Sequence, residues 1–262
     1  MRPDGTGLRS LTPCSSRPSA PSWYEAEWFA DGGRLLAVRQ GVPWIMAADG
    51  TQRRPVKLDQ SEVMEASVSP DGRHFTYTVP TRTPEDMDAL PEIWRARLDG
   101  EGARYIGDGW LPRWSPDGRR IAFAGRRGVS VMEASTGRRV RVLVSRFAAE
   151  SLDWSPDGRH LAFAGGGHGG IWTVAVSGSR RTHRVFPRRS RSRYLLQVNS
   201  VAWSPDGRRL AFVRSEVGDE QVSYTIMTVT RRGTDVKRLR SSGSFDTEED
   251  GGWASLSWGP KR

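Results

Sequence analysis

One phrase recurs along the whole chain and constrains its fold more than any other feature. The copy from Trp114 reads WSPDGRRIAFA, and those from Trp154 and Trp203 are nearly identical. The copies begin at Trp28, Val68, Trp114, Trp154, Trp203 and Trp258, and the last copy is shortened to WGPKR. Their first residues are 40, 46, 40, 49 and 55 residues apart. Repeats of this length are typical of small units that bury their apolar faces only by stacking on their neighbours.

The chemistry of the phrase predicts a turn followed by a strand. In Ser115–Gly118, serine, proline and aspartate suit the first three positions of a β-turn, and glycine tolerates the positive φ that follows. After the turn, bulky Ile121 and Phe123 alternate with small Ala122 and Ala124. This alternation indicates a strand that is buried on both faces between neighbouring sheets.

Each repeat continues into a third strand, such as 128–137 or 170–178, and a short fourth strand, such as 138–144. Four strands in every repeat of 40–50 residues predict an all-β chain, a β-propeller of four-stranded blades. We expect one propeller domain over 1–262, with five complete blades at 24–60, 61–109, 110–148, 149–193 and 194–243.

The two ends of the chain predict an incomplete sixth blade. Residues 1–13 resemble an outer strand, and residues 251–262 resemble the opening strand of a blade. Either these strands meet and close the ring, or the chain is a fragment of a truncated gene product with exposed sheet edges.

The WSPDG phrase, followed by its third and fourth strands, resembles the WD40-like repeats of the TolB propeller family. The resemblance implies a non-enzymatic propeller that contacts other proteins outside the cytoplasm. Related propellers precede the catalytic domain of serine peptidases of the prolyl oligopeptidase type. Unlike the family, the sequence as given is expected to have neither an N-terminal α/β domain nor a signal peptide. As written it is expected in the cytoplasm, and outside it if the true start lies upstream.

The sequence contains no motif for catalysis or for a metal. It has no GxSxG, no HExxH and a single cysteine, Cys14. His74 and His160 follow the SPDG turn at positions where sister repeats carry arginine, which favours a surface role. We therefore expect no catalytic residues, no metal, no cofactor and no enzymatic activity.

The residue before the first position of each repeat differs between repeats, which pure packing does not require. Strand alternation sends this residue to the side opposite the tryptophan. We predict that Glu27, Arg113 and Asp153 face the central channel and form a polar ligand site. The alternative is that these charges only neutralise one another.

A run of arginines forms a second candidate site. Residues 179–193 hold seven arginines and no acid, within a chain of formal net charge +10. The candidate anion-binding residues are Arg180, Arg181, Arg184, Arg188, Arg189, Arg191 and Arg193. The alternatives are a solvated loop, or attraction to the acidic run at 245–252.

Three functions follow from these patterns. The first is a non-catalytic module that binds another protein or a ligand. The second is the gating propeller of a prolyl-oligopeptidase-type peptidase whose catalytic domain this sequence lacks. The third is binding of anions or nucleic acid through Arg180–Arg193. We expect a monomer with a protein partner, no membrane span, and nucleic acid as the less favoured ligand.

Overall fold

The computed structural model describes residues 23–60, 62–81, 89–165, 170–178, 180–186, 195–217 and 221–246. These residues form twenty β-strands in five antiparallel four-stranded sheets, and each sheet follows the order of the chain. Five four-stranded blades in a ring confirm the predicted all-β propeller. The predicted sixth blade, at 1–13 and 251–262, lies outside the described residues.

The strands of each blade run from the axis outward. Blade 1 comprises β1 (Trp23–Trp28), β2 (Arg34–Arg39), β3 (Val42–Ala47) and β4 (Arg54–Pro55). Blade 2 comprises β5 (Glu65–Val68), β6 (His74–Val79), β7 (Glu92–Arg97) and β8 (Arg104–Asp108). Blade 3 comprises β9 (Trp110–Trp114), β10 (Arg120–Gly125), β11 (Gly128–Glu133) and β12 (Arg141–Ser145). Blade 4 comprises β13 (Ala149–Trp154), β14 (His160–Gly165), β15 (Gly170–Ala175) and β16 (Thr182–Phe186). Blade 5 comprises β17 (Leu195–Trp203), β18 (Arg209–Val217), β19 (Gln221–Thr230) and β20 (Lys237–Asp246).

The apolar core is divided among the spaces between neighbouring blades. Leu36 and Val38 of blade 1 pack with Phe75 and Tyr77 of blade 2. Further clusters fill the spaces between blades 2 and 3, 3 and 4, and 4 and 5. The second strands are buried on both faces, and in β10 large and small side chains alternate so that both faces can pack closely. Ile121, with 0% of its surface exposed, and its neighbour Ala122, also 0%, show this arrangement.

The SPDG turns have the geometry that their residues favour. The backbone N–H of Gly118 donates to the carbonyl of Ser115 over 2.8 Å, which closes the turn. The hydroxyl of Ser115 donates to Asp117 Oδ1 over 2.5 Å and accepts the backbone N–H of Arg120 over 2.9 Å. These bonds hold the end of one inner strand against the start of the next strand, so the turn fixes the register of the hairpin.

The five inner strands lie beside one another around the axis. β5 contacts both β1 and β9, and β13 contacts both β9 and β17. A β-bulge interrupts the pairing of β1, β9, β13 and β17 with their second strands. In β1 the bulge is at Glu25, whose φ is +49°. Bulges bend a strand and redirect its side chains, and the one at Glu25 brings its carboxylate to Arg113 of blade 3.

No helix within the described part of the chain is long and apolar enough to cross a membrane.

Candidate functional site

Charged side chains from four blades converge where the inner strands meet. We call them the axial cluster, and its members are Glu25, Glu27, Glu65, Arg113 and Asp153. They occupy positions one or three residues before the first residue of their repeat. The structure thus brings together Glu27, Arg113 and Asp153, which the sequence analysis proposed to face the channel.

One ion pair crosses the axial region. The guanidinium Nη2 of Arg113 in blade 3 lies 3.0 Å from a carboxylate oxygen of Glu25 in blade 1. The exposed fractions of the two side chains are 18% and 21%. Because blade 2 stands between these blades along the chain, the contact shows that the side chains reach across the inner ring. Its partial exposure leaves the pair accessible to solvent.

The electrostatics of the axial cluster follow from burial and from an imbalance of charge. Burial acts to lower the pKa of Arg113, but the four surrounding carboxylates more than offset it and raise that pKa above its ordinary value. Arg113 therefore stays charged. The cluster contains four carboxylates and one guanidinium, so full ionisation would leave an excess of negative charge.

Three of the four carboxyl groups hold their protons more tightly than usual, mainly because they are buried. Burial raises the pKa of Glu27 to about 7, and the nearby Arg113 reduces the effect. Burial, with repulsion from Glu25, raises the pKa of Glu65 to about 7. Burial raises the pKa of Asp153 to about 6, although it accepts two backbone hydrogen bonds. The charge of the cluster therefore changes near neutral pH.

The same side chains connect one blade to the next. Glu27 accepts the backbone N–H of Val68 over 3.3 Å, and Asp153 accepts that of Trp203 over 2.6 Å. Glu65 accepts the backbone N–H of Leu111. In each case the donor belongs to the inner strand of the following blade. The inner strand is the edge of its sheet, so these carboxylates satisfy backbone groups that the sheet leaves unpaired.

Glu25 and Glu65 were not among the residues predicted for this site. Strand alternation brings the residue two positions before the predicted one to the same side, and in the regular strand β5 this residue is Glu65. Glu25 lies at the bulge of β1, where the alternation is interrupted, so the period of two does not predict its position.

The arginine run is only partly within the described residues. Arg184 stacks over the ring of Trp172, with 5.7 Å between the guanidinium carbon and the ring centroid. Arg180 is exposed, and Arg181 lines a groove between blades 4 and 5. Arg188, Arg189, Arg191 and Arg193 lie outside the described residues.

No metal-binding group of three or more His, Cys, Asp or Glu side chains occurs in the ranges that the structure describes. The SPDG aspartates Asp71, Asp117 and Asp157 each bond to the serine of their own turn, which explains their position without a metal.

Comparison with solved structures identifies the fold. A protein assigned as TolB from Agrobacterium tumefaciens aligns with a TM-score of 0.70 at 22% identity, over 92% of this chain and 87% of that one. TolB from Acinetobacter baumannii aligns with a TM-score of 0.67 at 17% identity, over 92% of this chain and 58% of that one. A prolyl endopeptidase structure aligns with a TM-score of 0.54 at 14% identity, over 86% of this chain and 36% of that one.

Comparison with curated sequences gives shorter matches. Dipeptidyl-peptidase 5 from Porphyromonas gingivalis is 36% identical over 75 residues, which are 27% of this chain and 11% of that protein. Dipeptidyl-peptidase 5 from Porphyromonas endodontalis is 28% identical over 88 residues, 32% of this chain and 13% of that protein. The matches thus span little more than a tenth of these relatives. No family model matches the chain. The blades, the repeated turns and the structural neighbours together show that the chain folds as a TolB-like β-propeller.

Proposed function

We propose that this propeller is a non-catalytic binding module that recognises a positively charged group of a protein or ligand at the axial cluster. The observation that carries this proposal is the charge imbalance at the axis. Four carboxylates surround one arginine, so the ionised cluster carries an excess of negative charge. A lysine, an arginine or a terminal ammonium group entering the channel would offset this excess of negative charge.

Stabilisation of the fold accounts for only part of the cluster. Glu27, Glu65 and Asp153 bond to the next blade, and an amide or a hydroxyl could accept the same hydrogen bonds. Ser151 shows this, because its hydroxyl accepts the backbone N–H of Val201 over 2.9 Å. Carboxylates at the other positions add charge that the bonds between blades do not require, which supports a role in recognition.

A binding experiment with a charged peptide tests the proposal. We expect a fluorescently labelled peptide of alternating lysine and glycine to bind the full chain, and a glutamate–glycine peptide not to bind, when both are followed by fluorescence anisotropy. The Glu25→Gln/Glu27→Gln variant should bind the lysine peptide about tenfold more weakly. Glu62→Gln/Glu101→Gln removes two exposed carboxylates elsewhere and serves as the matched control. Equal loss in both variants, or no binding of the lysine peptide, would contradict recognition at the axis.

The similarity to peptidases favours a second candidate function, the gating propeller of a peptidase. Dipeptidyl-peptidase 5 matches over 75 residues, and a prolyl endopeptidase shares the fold. A propeller in front of a catalytic domain would admit peptides through its channel, where the axial cluster lies. Peptide mapping of the native protein tests this function, since peptides from an attached hydrolase domain would support it. A native product limited to the propeller would oppose it.

A further inference from the structure

A groove between blades 4 and 5 lies away from the axis and has a different charge. Its volume is about 270 Å³. His160 begins the second strand of blade 4, and Arg181 and His183 lie at the start of its outer strand. Arg231 and Arg232 come from the turn after the third strand of blade 5. The ring of Trp203, at the end of an inner strand, contributes an aromatic wall.

Among the residues that the structure describes, the arginines of the groove have no carboxylate partner, unlike several other arginines of this chain. Arg209 pairs with Asp235 at 2.6 Å, and Arg97 with Asp99 at 2.7 Å. Within the described residues, no carboxylate lies within 4 Å of Arg181, Arg231 or Arg232. Three exposed arginines line one groove with no carboxylate of the described residues within 4 Å, and this concentration of positive charge favours a bound anion.

We propose that this groove binds the phosphate group of a small phosphate ester. Three guanidinium groups carry more charge than a single carboxylate can offset, whereas a phosphate monoester carries close to two negative charges near neutral pH. Guanidinium groups bind phosphate oxygens in pairs of parallel hydrogen bonds, and the two imidazoles and the Thr173 hydroxyl offer further donors.

The size of the groove and its aromatic wall narrow the class of ligand. Its volume is slightly below the range that accommodates drug-sized molecules, so it suits one phosphate with a small attached group. The ring of Trp203 gives an apolar group next to the phosphate a surface to contact.

Phenyl phosphate and benzoate test this site, because they share an aromatic ring and differ in the anion. Isothermal titration calorimetry of the full chain, at constant ionic strength, should show binding of phenyl phosphate and much weaker binding of benzoate. Inorganic phosphate should bind too, which separates the contribution of the phosphate from that of the ring. The Arg231→Gln/Arg232→Gln variant should bind phenyl phosphate about tenfold more weakly.

The matched control is Arg138→Gln/Arg139→Gln. These two exposed arginines occupy the corresponding turn of blade 3, so their loss changes the net charge equally without touching the groove. An unchanged affinity in this control, together with the loss in the groove variant, supports the proposal. Equal losses in both variants would show nonspecific attraction to a basic protein. Tighter binding of benzoate than of phenyl phosphate would show a carboxylate site, and either result overturns the proposal.

Discussion

Asp153 shows how one side chain at the axis serves two blades. One carboxylate oxygen accepts the backbone N–H of Trp154 in its own strand over 2.9 Å. The other accepts the backbone N–H of Trp203 in the next blade over 2.6 Å. Both donors are main-chain groups of inner strands, and a lost acceptor would leave them without a partner away from bulk water.

We expect Asp153→Ala to lower the free energy of unfolding by about 2 to 4 kcal/mol, because two buried donors lose their acceptor. Asp153→Asn keeps one carbonyl oxygen for these donors and should cost less than half as much. Urea unfolding followed by circular dichroism measures both values. If the two variants were equally destabilised, the charge of Asp153 rather than its hydrogen bonds would hold the blades together.

The residue scale also shows what the sequence could and could not reveal about the axial cluster. The differences among Glu27, Arg113 and Asp153 at one repeat position led to the prediction of a channel-facing ligand site, and in the structure Glu27 and Asp153 interact with the charge of Arg113. Their bonds to Val68 and Trp203 could not be predicted, because these depend on the spacing and tilt of neighbouring blades. The groove was missed for a related reason, since His160 and Arg231 are far apart in sequence and adjoin only when blades 4 and 5 pack.

At the scale of the element, the turn between the third and fourth strands has two roles. In every blade this turn ends in a glycine with positive φ, as the polar-Gly pattern of the sequence predicts. In blade 3 the turn also packs on the outer strand of blade 2, because an added Cβ at Gly137 would overlap the carbonyl oxygen of Ile106. In blade 4 an added Cβ at Gly178 would meet nothing within 4 Å among the described residues. The sequence predicts the turn but not this backbone contact between blades.

This difference makes Gly137 and Gly178 a matched pair. Their φ values are +70° and +82°, so alanine is strained at both positions. We expect Gly178→Ala to cost about 1 kcal/mol of unfolding free energy, from backbone strain alone. Gly137→Ala should cost about 3 kcal/mol, because the overlap with Ile106 is added. Thermal unfolding by calorimetry compares the variants, and similar costs would show that the turn does not pack on blade 2.

At the scale of the whole molecule, the stability of the ring should depend on pH through the axial cluster. Glu27, Glu65 and Asp153 come from three blades and have ordinary pKa values of 4.5, 4.5 and 3.8. In the folded protein their pKa values are about 7, 7 and 6. At pH values between the ordinary and the folded-state pKa of each group, the native state binds more protons than the unfolded state. Their contribution to stability is therefore fully present only below these ordinary pKa values, and it is lost progressively until the pH exceeds their folded-state pKa values of about 6 and 7. The SPDG aspartates act in a separate window, because their lowered pKa values remove stability only as the solution becomes more acidic than pH 4.

We expect the free energy of unfolding to fall by about 1 to 3 kcal/mol per pH unit between pH 5 and pH 7, the slope for one or two protons released. Urea unfolding at several pH values in this range, at constant ionic strength, measures the slope.

Glu27→Gln/Glu65→Gln keeps the hydrogen-bond acceptors and removes two titrating groups, so its slope should be much flatter. Glu101→Gln removes an exposed carboxylate that pairs with Arg97 and should leave the slope unchanged. A wild-type slope that persists in the double variant would mean that the excess charge at the axis is neutralised in another way. The case for a cationic ligand there would then weaken as well, since both arguments depend on the same four carboxylates around one arginine.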